Sequence, residues 1–216
     1  IPVLTAWNAH DIIEEDFPFY FGRPGTVGDR PGNLIIKNSD LLIVLGSRLN
    51  IRQIGYNWET FARESKLIMV DIDQSELDKH TLNIDYPIND DLNSFLSLLE
   101  KKIEDNFEDK VDWLKYCEMV KDKYPVFLNK YSESKLVNPY YFIDELGKAL
   151  KNNQVIVSAD GTACVTAFQG LKIKKGQRLY TNSGCASMGY DLPAAIGAWQ
   201  HNKEEIICIA GDGSIM

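Results

Sequence analysis

The sequence has no long apolar run. Its longest, such as Leu41–Leu45 and Ile206–Ala210, fall far short of the roughly 20 residues that cross a bilayer. A membrane-spanning helix is therefore not expected, and no basic stretch followed by an apolar segment opens the chain, so a cytoplasmic protein is expected. Positive charge is in deficit: 23 Lys and Arg against 31 Asp and Glu leave a net charge of −8. A polyanion or an anionic lipid surface would be repelled, so neither nucleic acid nor membrane is an expected partner. Cysteine is sparse and unpatterned. Cys117, Cys164, Cys185 and Cys208 form no C-x-x-C pair and have no His at metal-ligand spacing, which predicts reduced, mostly packed thiols. What is present is an ordinary globular composition. With 44% hydrophobic and 11% aromatic residues in 216, the chain can build one large or two ordinary domains. It opens at Ile1 without Met and stops just after a Gly-Asp-Gly-Ser turn, so it reads as a piece of a longer polypeptide.

The fold class expected is α/β, with two consecutive parallel-sheet Rossmann-like units. Leu41–Leu45 and Leu67–Val70 are continuous apolar runs closed by Gly46-Ser47 and Asp71-Ile72-Asp73, the pattern of parallel strands covered on both faces. Ile84–Ile88 suggests a further strand. Asn89-Asp90-Asp91 then opens a helix carrying Leu92, Phe95, Leu96, Leu99 and Ile103. These residues place a central α/β domain, truncated at its start, over 1–104. Mixed charge with scattered apolar residues predicts a helical connector over 105–136, with Pro125 breaking a helix. Asn138 and Pro139 read as cap and first turn of a new helix, followed by the strand Val155–Val157, a polar turn at 158–162, a helix from Pro193 through Trp199 and the strand Ile206–Ala210. These define a second unit over 137–216. The small residues Ala194, Ala195, Gly197 and Ala198 predict close packing of that last helix.

The chemistry is concentrated where strands end. Ile206–Ala210 runs into Gly211-Asp212-Gly213-Ser214, which puts Asp212 at the carboxyl edge of a parallel sheet, where ligands of open α/β folds bind. The flanking glycines let backbone N–H groups approach an anion. A carboxylate there suits Mg²⁺, and Mg²⁺ held by one or two carboxylates usually also takes substrate phosphates. Taken alone, the tripeptide equally describes a tight βα turn with Asp as a helix cap, and Met188 alone reads as a core gap-filler. One helix and one strand separate Met188 from Asp212, so both should emerge at the same sheet edge. A third turn, Asp160-Gly161-Thr162, also follows a strand, and a plain solvated turn is the competing reading there.

Together, Ser183-Gly184-Cys185-Ala186-Ser187-Met188-Gly189-Tyr190-Asp191-Leu192-Pro193-Ala194-Ala195-Ile196-Gly197-Ala198 and the Gly-Asp-Gly-Ser turn resemble the signature of thiamine diphosphate enzymes of the acetolactate synthase and pyruvate oxidase group. The resemblance implies a catalytic part for Met188, whose side chain would prop the two cofactor rings into a bent shape. It implies that the carbonyl of Ala186 and the N–H of Met188 meet the pyrimidine edge. It also implies that Asp212 ligates Mg²⁺, with Gly211, Gly213 and Ser214 around it, and that Gly161 and Thr162 contact the diphosphate. The activity implied is decarboxylation of a 2-oxo acid, pyruvate foremost, with transfer of the two-carbon unit to a carbonyl acceptor. A decarboxylase without ligation and a non-catalytic flavin- or nucleotide-binding homologue are the alternatives.

The first half resembles the central domain of the same family, which binds FAD in the acetolactate synthase branch while flavin-free members keep the fold. Gly25, Gly46, Arg48 and Asp71 are the implied cofactor contacts; Arg48 and Arg52 could equally lie in solvent. Two departures stand out. Val27 sits where close acetolactate synthases carry His in a G-M-H-G turn, and Gly161-Thr162 replaces the usual G-x-H. The family's catalytic Glu and a second Mg²⁺ ligand are not among these residues, so the isolated piece is expected to be inactive and the enzyme to work as a homodimer or tetramer. His10, His80 and His201 match no family site and read as packing or surface residues. Cys164 and Cys185 read as core or pocket-wall thiols.

Overall fold

The computed structural model describes residues 1–103 and 110–216. The first helix, α1 (Arg30–Asn38), begins where the Asp29 side chain accepts the Gly32 N–H at 2.6 Å and Pro31 occupies the first turn. Then follow β1 (Leu41–Leu45), α2 (Ile51–Ile54), β2 (Lys66–Asp71), α3 (Gln74–Leu77), β3 (Tyr86–Asn89) and α4 (Leu92–Lys102). The three strands pair in the order β1-β2-β3, all parallel, with Leu45 opposite Val70 and Val70 opposite Ile88. β3 starts two residues later than Ile84, because the Asp85 carboxylate takes the Leu67 N–H at 2.8 Å before the backbone ladder begins. Pro87 is tolerated within it because the strand lies at the sheet edge. Within the expected Asn89-Asp90-Asp91 start, Asp91 is the residue that caps α4, accepting the Asn93 N–H at 2.9 Å. Val44, Leu49, Leu67, Met69 and Leu77 form the core.

β1 corrects one expectation. Its apolar run is covered on one face only: Val44 is buried while Leu41, Ile43 and Leu45 are exposed, since β1 ends the sheet. Of the connector, the boundary placed at 104/105 lies outside the described residues; beyond it α5 (Val111–Lys123) is helical and stops before Pro125.

The second unit opens with α6 (Pro139–Ala149), where Asn138 Oδ1 accepts the Tyr140 N–H at 2.9 Å. β4 (Val155–Ser158), α7 (Thr162–Gly170), β5 (Arg178–Thr181), α8 (Asp191–Asn202), β6 (Ile206–Ile209) and α9 (Asp212–Ile215) complete it. The sheet order is β5-β4-β6, again all parallel. Its core joins Ile143, Ile156, Ala167, Leu171 and Leu179. α8 begins at Asp191, two residues before Pro193, and buries Ala195, whereas Gly197 faces open space and Leu192, Ile196 and Trp199 are exposed. The close packing expected of Gly197 is therefore absent.

Residues 1–28 tie the two units together. Buried Arg23 donates to the carbonyls of Phe168 (2.9 Å) and Leu171 (3.1 Å), near the end of α7. Trp7 stacks on Phe168 at 3.8 Å, and fully buried His10 bonds the Leu179 carbonyl through Nε2 at 2.8 Å. His10 is thus a packing residue, and burial first of all keeps its pKa low. In return, Gln169 of α7 donates to the Val27 carbonyl at 2.8 Å and so holds the Gly25–Gly28 turn.

Candidate functional site

In the second sheet the chain passes from central β4 out to β5, then back across β4 to β6. Strand order reverses between β4 and β6, and such a reversal opens a crevice at the carboxyl ends of the strands. The Ala159 N–H extends the ladder to the Ile209 carbonyl at 2.8 Å, so the turns after β4 and β6 emerge side by side. Gly161 and Gly211 lie there with nothing within 4 Å of the position a β-carbon would take. Gly161 has φ +74°, a conformation that favours glycine; Thr162 beside it is exposed and starts α7.

The loop before α8 folds onto the turn after β6. Met188 Sδ lies 3.6 Å from the β-carbon position of Gly213, and the Gly189 N–H donates to Ser214 Oγ at 3.0 Å. Met188 is itself 73% exposed, with its side chain open to solvent. Ala186, two residues earlier, has a left-handed φ of +55° and donates its N–H to the Asn182 carbonyl at 2.8 Å. Such a conformation at a residue with a side chain is strained, and strain of this kind gathers at working loops.

Asp212 is exposed at the first position of α9. Its Oδ1 accepts the Gly213 N–H at 2.8 Å, and its Oδ2 has no hydrogen-bond partner among the described residues. Ser214 differs from this pattern because it is buried, and its hydroxyl donates to the Asp191 carboxylate. From the sequence Asp160 is only part of a polar turn, yet both its carboxylate oxygens are buried without a hydrogen bond. Desolvation above all, then the nearby Asp191 charge, raises its pKa, while the Arg52 charge acts in the opposite sense. A strand ending in Asp-Gly was the only signal in the sequence for this group.

Three carboxylates around one edge would repel an unescorted diphosphate. A hard cation placed between Asp212 and phosphate oxygens removes that repulsion. No group of three or more His, Cys, Asp or Glu residues among those described could hold a metal alone, so a cation here would depend on ligand oxygens for most of its shell. The open glycines at 161 and 211 leave room for such a ligand, so the residues present fit a Mg²⁺-diphosphate group.

The remaining expected contacts are not brought to this edge. Gly46, Arg48 and Asp71 lie at the carboxyl edge of the first sheet, and each has a structural partner there. A β-carbon on Gly46 would fall 2.7 Å from Leu92 Cδ1. Arg48 pairs with Glu76, its Nε donating to Oε1 at 2.6 Å, and buried Asp71 accepts the Asp73 N–H at 3.0 Å. Gly25 is required by closeness to the Arg52 carbonyl, 2.8 Å from its β-carbon position. It also lines a cleft of about 410 Å³ with Asn33, Lys37, Gln53 and Arg63, a feature with no local signature in the sequence. All four cysteines are free; Cys117 and Cys164 are buried, whereas Cys185 and Cys208 are exposed.

Two stretches of the chain have counterparts among known proteins. Residues 1–99 match the central domain of thiamine pyrophosphate enzymes, and residues 160–216 match their C-terminal TPP binding domain. The chain is 31% identical over 218 residues to an acetolactate synthase of Mycobacterium avium, covering 99% of this chain and 35% of the relative. It is 28% identical over 217 residues to the acetolactate synthase isozyme 2 large subunit of Escherichia coli (strain K12), covering 100% and 38%. It is 33% identical over 219 residues to the acetolactate synthase large subunit of Cyanidium caldarium, covering 99% and 37%. The chain thus spans little more than a third of the length of these relatives. No helix among the described residues is long and apolar enough to cross a membrane. With both matched domains present in their order, the chain belongs to the thiamine pyrophosphate enzyme family.

Proposed function

We propose that this chain is the central and diphosphate-binding part of an enzyme that uses thiamine diphosphate and Mg²⁺ to decarboxylate a 2-oxo acid, pyruvate foremost, and to join the two-carbon unit to a carbonyl acceptor. The observation that carries this is the meeting of the Met188 loop and the Asp212 turn at one crevice of the second sheet. When bound, thiamine diphosphate supplies a carbon nucleophile and an electron sink. The residues of this chain supply position. Asp212 offers a free anionic oxygen to the cation. Gly211, Gly213, Gly161 and Thr162 border the open space for the diphosphate. The Ala186 carbonyl and the Met188 N–H take the pyrimidine edge, and the Met188 side chain is the shelf that fixes ring geometry. Ser214 serves by holding the loop, because its hydroxyl is already committed to Asp191 and Gly189.

In the first unit Gly46, Arg48 and Asp71 are engaged within the fold and Gly25 borders an open cleft of about 410 Å³, so FAD is the candidate cofactor there and a flavin-free member of the family the alternative. The exposed Leu192, Ile196 and Trp199 of α8 support a homo-oligomer. The charge of −8 and the absence of a long apolar run agree with a cytoplasmic enzyme acting on a small 2-oxo acid. The test is calorimetry of thiamine diphosphate with and without Mg²⁺ on the protein carrying this chain, followed by product analysis with pyruvate. Metal-dependent binding and an acetolactate-type product are expected. Acetaldehyde alone would make it a decarboxylase, and no binding would remove the assignment. A flavin absorption spectrum in the purified protein tests the first unit separately.

A further inference from the structure

Asp191 is 0% exposed, and no cation pairs with its carboxylate among the described residues. A buried charge without a counter-ion is expensive, so its contacts matter. Although it is the first residue of α8, neither of its two carboxylate bonds goes to its own helix. Instead Oδ1 accepts the Ser214 hydroxyl from α9, and Oδ2 accepts the thiol of Cys208 in β6 at 3.9 Å. A hydroxyl has one proton. Because Ser214 gives its proton to Asp191, its lone pairs are turned toward the Gly189 N–H, which donates to them at 3.0 Å. Gly189 follows Met188, and Ser214 lies two residues after Asp212.

We propose that Asp191 is a positioning residue which, through the Ser214 hydroxyl, locks the Met188 loop against the Asp212 turn. The lock itself stands on the hydrogen bonds above; its consequence for turnover rests on the function proposed here. Charge-assisted hydrogen bonds are roughly twice as strong as neutral ones, so the carboxylate fixes the hydroxyl more firmly than an amide or a water would. Fold stability gains little from the arrangement, since burying the charge offsets the bonds it makes.

The test is hydrogen exchange at Gly189 in the protein carrying this chain, without cofactor. Asp191→Ala should speed exchange at Gly189 about tenfold, on the scale of one lost hydrogen bond to a charged group. Asp191→Asn, which keeps a neutral acceptor, should fall between. Exchange in β4 and the melting temperature should stay level or improve. Ser214→Ala should speed Gly189 equally, and Asp191→Ala combined with Ser214→Ala should be no faster than Ser214→Ala alone. With thiamine diphosphate, Mg²⁺ and pyruvate, Asp191→Ala should lower kcat about tenfold while KM and cofactor affinity change less than threefold. Unchanged exchange in Asp191→Ala, additive effects in the double variant, or melting that falls together with the loop would each overturn the relay. Failure of the unaltered protein to bind thiamine diphosphate would sink the function proposed, and exchange at Gly189 would still decide the lock.

Discussion

The Met188 sulfur stands 3.6 Å from the point where Gly213 would carry a β-carbon. Two residues 25 positions apart in the chain are thereby on one surface: the side chain that would meet the cofactor rings and the turn that would meet its metal-bound end. The thioether lies at ordinary contact distance from Gly213, while Asp212 beside it keeps one carboxylate oxygen free.

Removing that oxygen should matter most. Asp212→Ala should abolish Mg²⁺-dependent binding of thiamine diphosphate, because it deletes the charged ligand of a hard cation. Isothermal titration of the protein carrying this chain reads the effect directly. Micromolar affinity persisting in the variant would speak strongly against the metal site.

Met188→Ala should separate binding from turnover. The side chain is 73% exposed, so its loss costs the fold little, and melting should shift by no more than about 1 kcal/mol in stability. Cofactor affinity should be kept while kcat drops by an order of magnitude or more. Equal losses in affinity and rate would mean that the side chain has no part in shaping the bound rings.

Arg23→Met should be costly without touching the site. It keeps the apolar stem but strips the Phe168 and Leu171 carbonyls of their donors, for a loss of roughly 2–4 kcal/mol. Thermal melting should show a fall of several degrees, and Arg23→Lys, reaching one carbonyl at best, should lie between. A melting curve identical to wild type would show that the carbonyls find other donors.

Asp29 predicts a pH dependence of stability. Burial pushes its carboxyl from the ordinary 3.8 up to about 6, against the N–H donors of Gly32 and Arg23 that favour the charge. Between those two values the folded chain holds a proton that the unfolded chain has released. This group's contribution is therefore full below about pH 4, falls as pH rises through the window and levels off above 6. Urea unfolding of wild type and Asp29→Asn at pH 4.5 and 7 should show the balance moving against wild type by roughly 1–3 kcal/mol. A constant difference would refute it.

Much of this architecture was legible in residue order. Leu41–Leu45, the Asp91 cap and the Asn138-Pro139 start are local signals, and their helices and strands stand where they point. α7 is hard to see in the sequence because it is short and mostly apolar, and Thr166, in the middle of its narrow polar stripe Thr162, Thr166 and Gln169, is buried along with Cys164, Ala167 and Phe168. β5 was missed because Arg178-Leu179-Tyr180-Thr181 is a short strand at the sheet edge with mixed polarity. At the crevice, the emergence of the Met188 loop and the Asp212 turn at one sheet edge could be read from their spacing. Asp191 could not: its meaning depends on a hydroxyl 23 residues away, a distance set by α8 and β6 rather than by any neighbour in sequence.

The opening 28 residues bear on how this protein can be cut. Counted by position they precede the first sheet, yet Trp7 and His10 shield Phe168, and Arg23 closes the tail of α7. A truncation that began at Asn138 to harvest the coenzyme half would strip off this cover. It would leave an aromatic ring and two carbonyls bare, inviting aggregation. A soluble half-protein would have to retain the leading strip as well, spliced ahead of α6 by a linker in place of the first sheet.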